Sequence, residues 1–135
     1  MELDLGTVWS AAGVVVAFQV AAYTLRISRE IQVASEDDLT WLPPADLLNV
    51  LSMTVTMIGV FVMPVLGLVG SRFAERAFGL SVLLLVGYAG ALAGHYEMFN
   101  PRSVRSMRYF PLQEKVAVAG VGAAVVAYLI LAFIR

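Results

Sequence analysis

The sequence predicts an all-α integral membrane protein, a four-helix up-down bundle with a short interfacial helix in its third loop. Three observations predict it. Hydrophobic residues make up 60% of the 135 positions and the mean hydropathy is +0.83, more apolar surface than a soluble domain of this size can hide. Four apolar runs approach or exceed the roughly 20 residues that cross a hydrocarbon core. The connections between them are short, which makes consecutive spans antiparallel.

The expected spans are about 7–25, 47–70, 77–96 and 116–134, within a single four-span domain covering 1–135. The first carries no charge and is closed by Arg26 and Arg29. The second lies between Asp46 and Arg72, after Pro43 and Pro44, which suit the entry to a helix, and with Asp46 favouring its positive N-terminal end. A tight turn over 71–76 leads into the third. In loop three, Asn100 and Pro101 read as the N-cap and first residue of a short helix that stops before Pro111. The fourth span ends at Arg135. All four must be helices, because backbone amides in lipid are satisfied within the segment. The period-two alternation of a barrel strand is absent, and no repeat between the halves suggests an inverted-repeat transporter. Trp41 sits where an interfacial indole belongs. The start, Met1-Glu2-Leu3-Asp4, has no basic region of a cleavable signal.

Orientation follows from lysine and arginine. Loops one and three hold Arg26, Arg29, Arg102, Arg105, Arg108 and Lys115, whereas the other side holds Arg72, Arg76 and Arg135. Both termini are therefore expected on the non-cytoplasmic face. The formal net charge of −1 points to no acidic or basic partner, and nothing suggests nucleic acid. The loops differ more: loop one carries Glu36, Asp37 and Asp38, while loop three carries the three arginines. Spaced by three, Arg102, Arg105 and Arg108 fall along one side of the expected short helix, suited to anionic lipid headgroups or to docking on loop one.

Small residues recur one helical turn apart. Gly13, Ala17 and Ala21 form one stripe. Gly90 with Gly94, and Gly87 with Ala91, form two more, and Gly120 with Ala124 lies beside Ala119, Ala123 and Ala127. Such faces let helices approach closely in lipid. The first expectation is packing within the bundle, and the second is contact with another copy or a larger partner. Span two contains Pro64, which removes a backbone hydrogen bond and kinks a helix, with Thr54 and Thr56 in its N-terminal half. These residues and Gln19 are candidates for a polar path. The simpler reading has the threonines bonded to their own helix and Gln19 bonded across to another helix.

Catalytic chemistry finds little support. Cysteine is absent, and His95 is the sole histidine. It has no His or Cys partner with which to build a metal site or a catalytic pair, so its expected role is structural. No acidic or basic residue is expected in the middle of a span, which argues against proton-coupled transport or voltage sensing. The intramembrane glutamate of small multidrug exporters has no counterpart, and quinone-coupled disulfide enzymes need cysteines. No catalytic, cofactor-binding or metal residue is assigned. The expected function is a non-catalytic membrane subunit, homo-oligomeric or part of a larger complex. A homo-oligomeric ion channel or small-solute transporter is the alternative, and a membrane-interface enzyme ranks third.

Overall fold

A computed structural model describes residues 4–37, 42–100 and 109–133. They form α1 (Leu5–Asp37), α2 (Pro44–Val55), a π-helical segment (Thr56–Val62), α3 (Met63–Val65), α4 (Ser71–His95) and α5 (Leu112–Phe133). No strand occurs among the described residues. Four helical stretches, Leu5–Gln32, Pro44–Val65, Ser71–His95 and Leu112–Ala132, are long and apolar enough to cross a membrane. The composition fits a multi-pass membrane protein. Trp41, Asp38, Pro101, Arg102, Arg105, Arg108 and Arg135 lie outside the described residues, as does the expected interfacial helix.

Each boundary that departs from the sequence expectation has a local cause. α1 runs on past Leu25, because Arg26 does not end it. The guanidinium meets Glu30 one turn later at 3.0 Å and Asp46 of α2 at 3.2 Å, so its charge is neutralised inside the helix. Ser28 and Thr24 return their hydroxyls to the carbonyls of Thr24 and Val20, so neither needs water. The second stretch begins earlier than expected, with Pro44 in its first turn and Asp46 already inside it.

That stretch also stops earlier, in a Schellman motif. Gly67 takes a left-handed φ of 68°, its N–H donates to the Pro64 carbonyl, and the Leu68 N–H donates to the Met63 carbonyl. Residues 71–76, expected as a turn, are instead the first turns of α4, entered from an extended Gly70. The turn is thus shifted to 66–70, because the glycine that can adopt positive φ at little cost lies there.

Pro64 does more than bend its helix. It has no N–H to offer the Val60 carbonyl four residues back. The ladder upstream has widened to π spacing, with the Met63 N–H donating to the Ile58 carbonyl. The Val60 carbonyl is satisfied from another helix: the Trp9 indole N–H of α1 donates to it at 2.8 Å. Val8 and Ala12 of α1 pack beside it on Val60 and on Ala77 of α4, with Trp9, Phe61 and Phe73 around them. Replacing Trp9 with Phe keeps most of the ring contact and removes the donor. It is expected to lower stability by about 1–3 kcal/mol in detergent unfolding. Much of that loss should vanish in a Pro64→Ala background, where residue 64 regains an N–H.

α4 is the hub of the molecule, packing along α5, along α2 and its π-helical continuation, and against part of α1. Tyr128 of α5 donates to the Arg76 carbonyl of α4 at 2.8 Å. A second apolar cluster joins Ala45, Tyr88 and Ala91.

Candidate functional site

A buried polar seam runs between α1, α2 and α4. On α2 and the π segment, Asp46, Asn49, Ser52 and Thr56 are wholly buried. Their spacing of three, three and four places them along one helical face. α1 contributes Gln19 and Arg26, and α4 contributes Ser81 and Tyr88; each pair is seven residues apart, hence on one face of its own helix. All four of these side chains are buried too.

The inner part of the seam consists of neutral groups. The Gln19 amide nitrogen donates to Ser52 Oγ, and Ser52 Oγ donates to the Ser81 carbonyl at 2.6 Å. One chain of hydrogen bonds therefore ties three helices together. Asn49 Nδ2 donates to the Gln19 backbone carbonyl at 3.3 Å. Thr56 returns its hydroxyl to the Ser52 carbonyl at 3.0 Å, and Ser81 to the Phe78 carbonyl at 3.1 Å. Gln19 lies about 20 Å of helix rise from either end of Leu5–Gln32. That is the middle of the helical stretch, farther from its end than the sequence suggests, because α1 outruns its expected end.

The outer part is charged. Arg26 Nε lies 3.3 and 3.4 Å from the two Asp46 oxygens, Nη2 reaches Asp46 and Glu30, and Nη1 donates to the Tyr96 hydroxyl. A planar five-donor guanidinium can serve three elements at once, which an ammonium cannot. Arg26 and Arg29 both lie over the Tyr96 ring, 5.7 and 5.3 Å from its centroid, within cation–π range. Arg26 and Asp46 lie near the ends of two of the apolar helical stretches, Leu5–Gln32 and Pro44–Val65, where each neutralises the other.

A second buried carboxylate closes the same end of the molecule. Glu114, in the first turn of α5, is wholly buried. One oxygen accepts the Ala45 N–H at the start of α2, and the other meets His95 Nδ1 at the end of α4, each at 2.8 Å. Tyr109 extends the joint by donating to the Leu42 carbonyl at 3.2 Å. α5 can come this close because residue 94 is glycine. A Cβ there would sit 2.8 Å from the Glu114 backbone nitrogen and 2.9 Å from the Gln113 carbonyl group. His95 pairs with Glu114, nineteen residues on. Glu97, its near neighbour in sequence, lies beyond the helix end with φ of 55°.

The remaining candidate residues divide by surroundings. Gly87 faces the Val121 side chain of α5. A Cβ built on Gly90 would meet no atom of a neighbouring helix within 4 Å, and the same is true of Gly13 and Gly120. Gly13, Ala17, Ala21, Gly120 and Ala124 are all exposed. Thr54 is exposed and bonded to the Val50 carbonyl, apart from the seam. Thr56, Gln19 and the Pro64 kink lie with it or beside it. Sequence reasoning missed Asp46, Asn49, Ser81, Tyr88 and Glu114 as seam or joint residues. The available signal was the three-three-four spacing of polar residues through 46–56.

These features describe an all-helical fold with four helices long and apolar enough to cross a membrane, a polar interior seam and a charged joint at one end. Among the described residues, no three His, Asp or Glu side chains gather to hold a metal ion. Comparison with protein families, with characterised proteins and with solved structures returns no match.

Proposed function

We propose that the chain is a non-catalytic subunit of a membrane assembly, formed with copies of itself or with other membrane proteins. We take it as an up-down bundle with both termini on the non-cytoplasmic face. In this arrangement the charged joint faces the cytoplasm, and an interfacial helix in loop three rests Arg102, Arg105 and Arg108 against anionic headgroups. The observation that carries the assembly reading is the outward direction of the small-residue stripes. Gly13, Ala17 and Ala21 on α1, and Gly120 and Ala124 on α5, are exposed, and no residue in the most apolar stretch of α5 is fully buried. Lipid gives helices little hydrophobic drive to associate, so close approach over small faces is the main source of contact energy. Two such faces unused within one chain are faces available to another.

Mass measurement in mild detergent tests this. The native chain is expected to travel as a defined oligomer or with other subunits, and the Gly120→Leu/Ala124→Leu protein to dissociate while keeping its helical content. A native chain that travels alone as a monomer rules the reading out.

A homo-oligomeric channel or small-solute transporter is the second reading, favoured by the buried polar seam. Flux through purified protein in liposomes separates the two, and absence of flux across several ions and solutes counts against this second reading.

A further inference from the structure

We infer that the cleft between the second helical stretch and α5 is a binding site for an acyl chain of a membrane phospholipid. Each of these elements packs on α4, and neither packs extensively on the other. Between them lies a cavity of about 300 Å3, within the range of small-molecule sites. Thr54, Ile58 and Met63 form one wall, Leu129 of α5 the other, and Phe73 and Leu80 of α4 part of the floor. At the rim, Thr54, Ile58 and Leu129 are exposed, whereas Gly59 and Ala77, which also line the cavity, are buried.

The local sequence builds this hollow. The π-helical widening upstream of Pro64 runs through Ile58 and Gly59. Residue 59 has no side chain to fill the space, and none can be added, because a Cβ there would stand 2.8 Å from the Ala77 Cβ. On α5, the Tyr128 hydroxyl is fixed on the Arg76 carbonyl at 2.8 Å. Gly79 makes room for that ring, since a Cβ at 79 would collide with it. The bond seats α5 on α4 and keeps Leu129, the next residue, beside the cavity. The site is therefore formed before any ligand arrives.

The lining specifies hydrocarbon. It is almost wholly apolar, and its one polar side chain, Thr54, gives its hydroxyl to the Val50 carbonyl at 2.9 Å. Apolar space of this kind stays dry and takes apolar ligands. Position selects the ligand. The walls belong to three of the stretches able to cross a membrane, and the rim residues face outward from them, where lipid tails are the neighbours. Thr54 stands near the middle of Pro44–Val65 and Met63 near its end, which is about 13 Å of helix rise. One leaflet of the hydrocarbon core is about 15 Å deep. A chain entering beside the 66–70 turn thus runs the length of the cleft and ends near the membrane midplane. A partner helix is about 10–12 Å across and needs about 30 Å to span, so it would cover the rim without entering.

This inference rests on the chain spanning a bilayer and is independent of the assembly reading. The test reconstitutes the purified protein in phosphatidylcholine liposomes that contain phosphatidylcholine spin-labelled in the middle of an acyl chain. The motionally restricted fraction of the electron-spin resonance spectrum is then measured. Native protein is expected to give a restricted component that Thr54→Phe and Leu80→Phe, which fill the cavity from two sides, largely lose. Val14→Phe, on the exposed outer side of α1, is expected to keep it. Helical content and the unfolding midpoint establish that the variants are folded. Should the filled variants misfold, photolysis of the native protein with phosphatidylcholine carrying a diazirine at the chain end decides the matter. Label is expected to concentrate around Thr54 and Leu80 over Val14 and Phe18. Equal restricted fractions in native and filled proteins, or label spread evenly over these positions, overturns the site. A restricted component given by spin-labelled free fatty acid alone overturns phospholipid as the occupant. A neighbouring subunit lying over the rim would leave the native protein with no such component, which overturns the proposal as well.

Discussion

Arg26→Leu is expected to destabilise the protein by about 3–5 kcal/mol, the range for removing one partner of a buried ion pair, read as a fall in the unfolding midpoint in detergent. The loss comes mainly from what is left behind. Asp46, wholly buried, is left without its counter-ion, Glu30 loses its partner one turn away, and the Tyr96 hydroxyl loses the group that joins it to α1. Asp46→Leu should cost about as much for the mirror-image reason. The Arg26→Leu/Asp46→Leu double variant should recover a large part of either loss, because an apolar pair needs no solvation. Arg26→Lys should fall between, since one ammonium cannot address Asp46, Glu30 and Tyr96 together. An Arg26→Leu protein that unfolds at the native midpoint would show the pair to be incidental.

Arg26 also shows what a sequence does and does not reveal in such a chain. Four apolar stretches are legible because span length and hydropathy sum over about 20 neighbouring residues, and no distant partner can cancel them. A single arginine reads as the end of a span because its desolvation cost is a local property. The carboxylate that offsets this cost is twenty residues away in sequence, and nothing in the local pattern announces it. Glu114 is the same case: it reads as a first-turn acid of span four, while its partners sit at 45 and 95 on two other helices. The seam was half visible. Gln19 stood out as a polar residue in apolar surroundings, but Ser81 and Tyr88 are ordinary in any helix until a facing polar row gives them meaning. Pro64 signalled a disturbance in its helix, while the donor that repairs it, Trp9, comes from 51 residues upstream in the bonded pair. Small-residue spacing identified faces without identifying neighbours. A Cβ at Gly94 would meet the backbone of α5, whereas one at Gly13 would meet no neighbouring helix within 4 Å.

Glu114→Leu is the second large effect expected, a loss of roughly 3–6 kcal/mol from two hydrogen bonds to a charged group at about 1.5–3 kcal/mol each. The carboxylate joins three helices through two bonds of 2.8 Å, and without it the Ala45 N–H and His95 Nδ1 are buried with no acceptor. His95→Ala breaks one of the two bonds and should cost about half as much. Glu114→Gln keeps the acceptor for Ala45 and can donate to a His95 that carries its proton on Nε2, so it too should be milder. Gly94→Val should resemble Glu114→Leu by another route, since a Cβ at that position has no space against the Gln113 and Glu114 backbone, and α5 must move off α4. Hydrogen exchange at Ala45 distinguishes a local break from general loosening: both variants should speed exchange there more than at the Trp9 end of the bundle. Because α5 also carries Gly120 and Ala124, a displaced α5 should weaken assembly with no change to either residue. If Glu114→Leu left both the unfolding midpoint and the oligomer intact, the joint would have no part in holding α5, and the outward face of that helix would be positioned by its contacts with α4 alone.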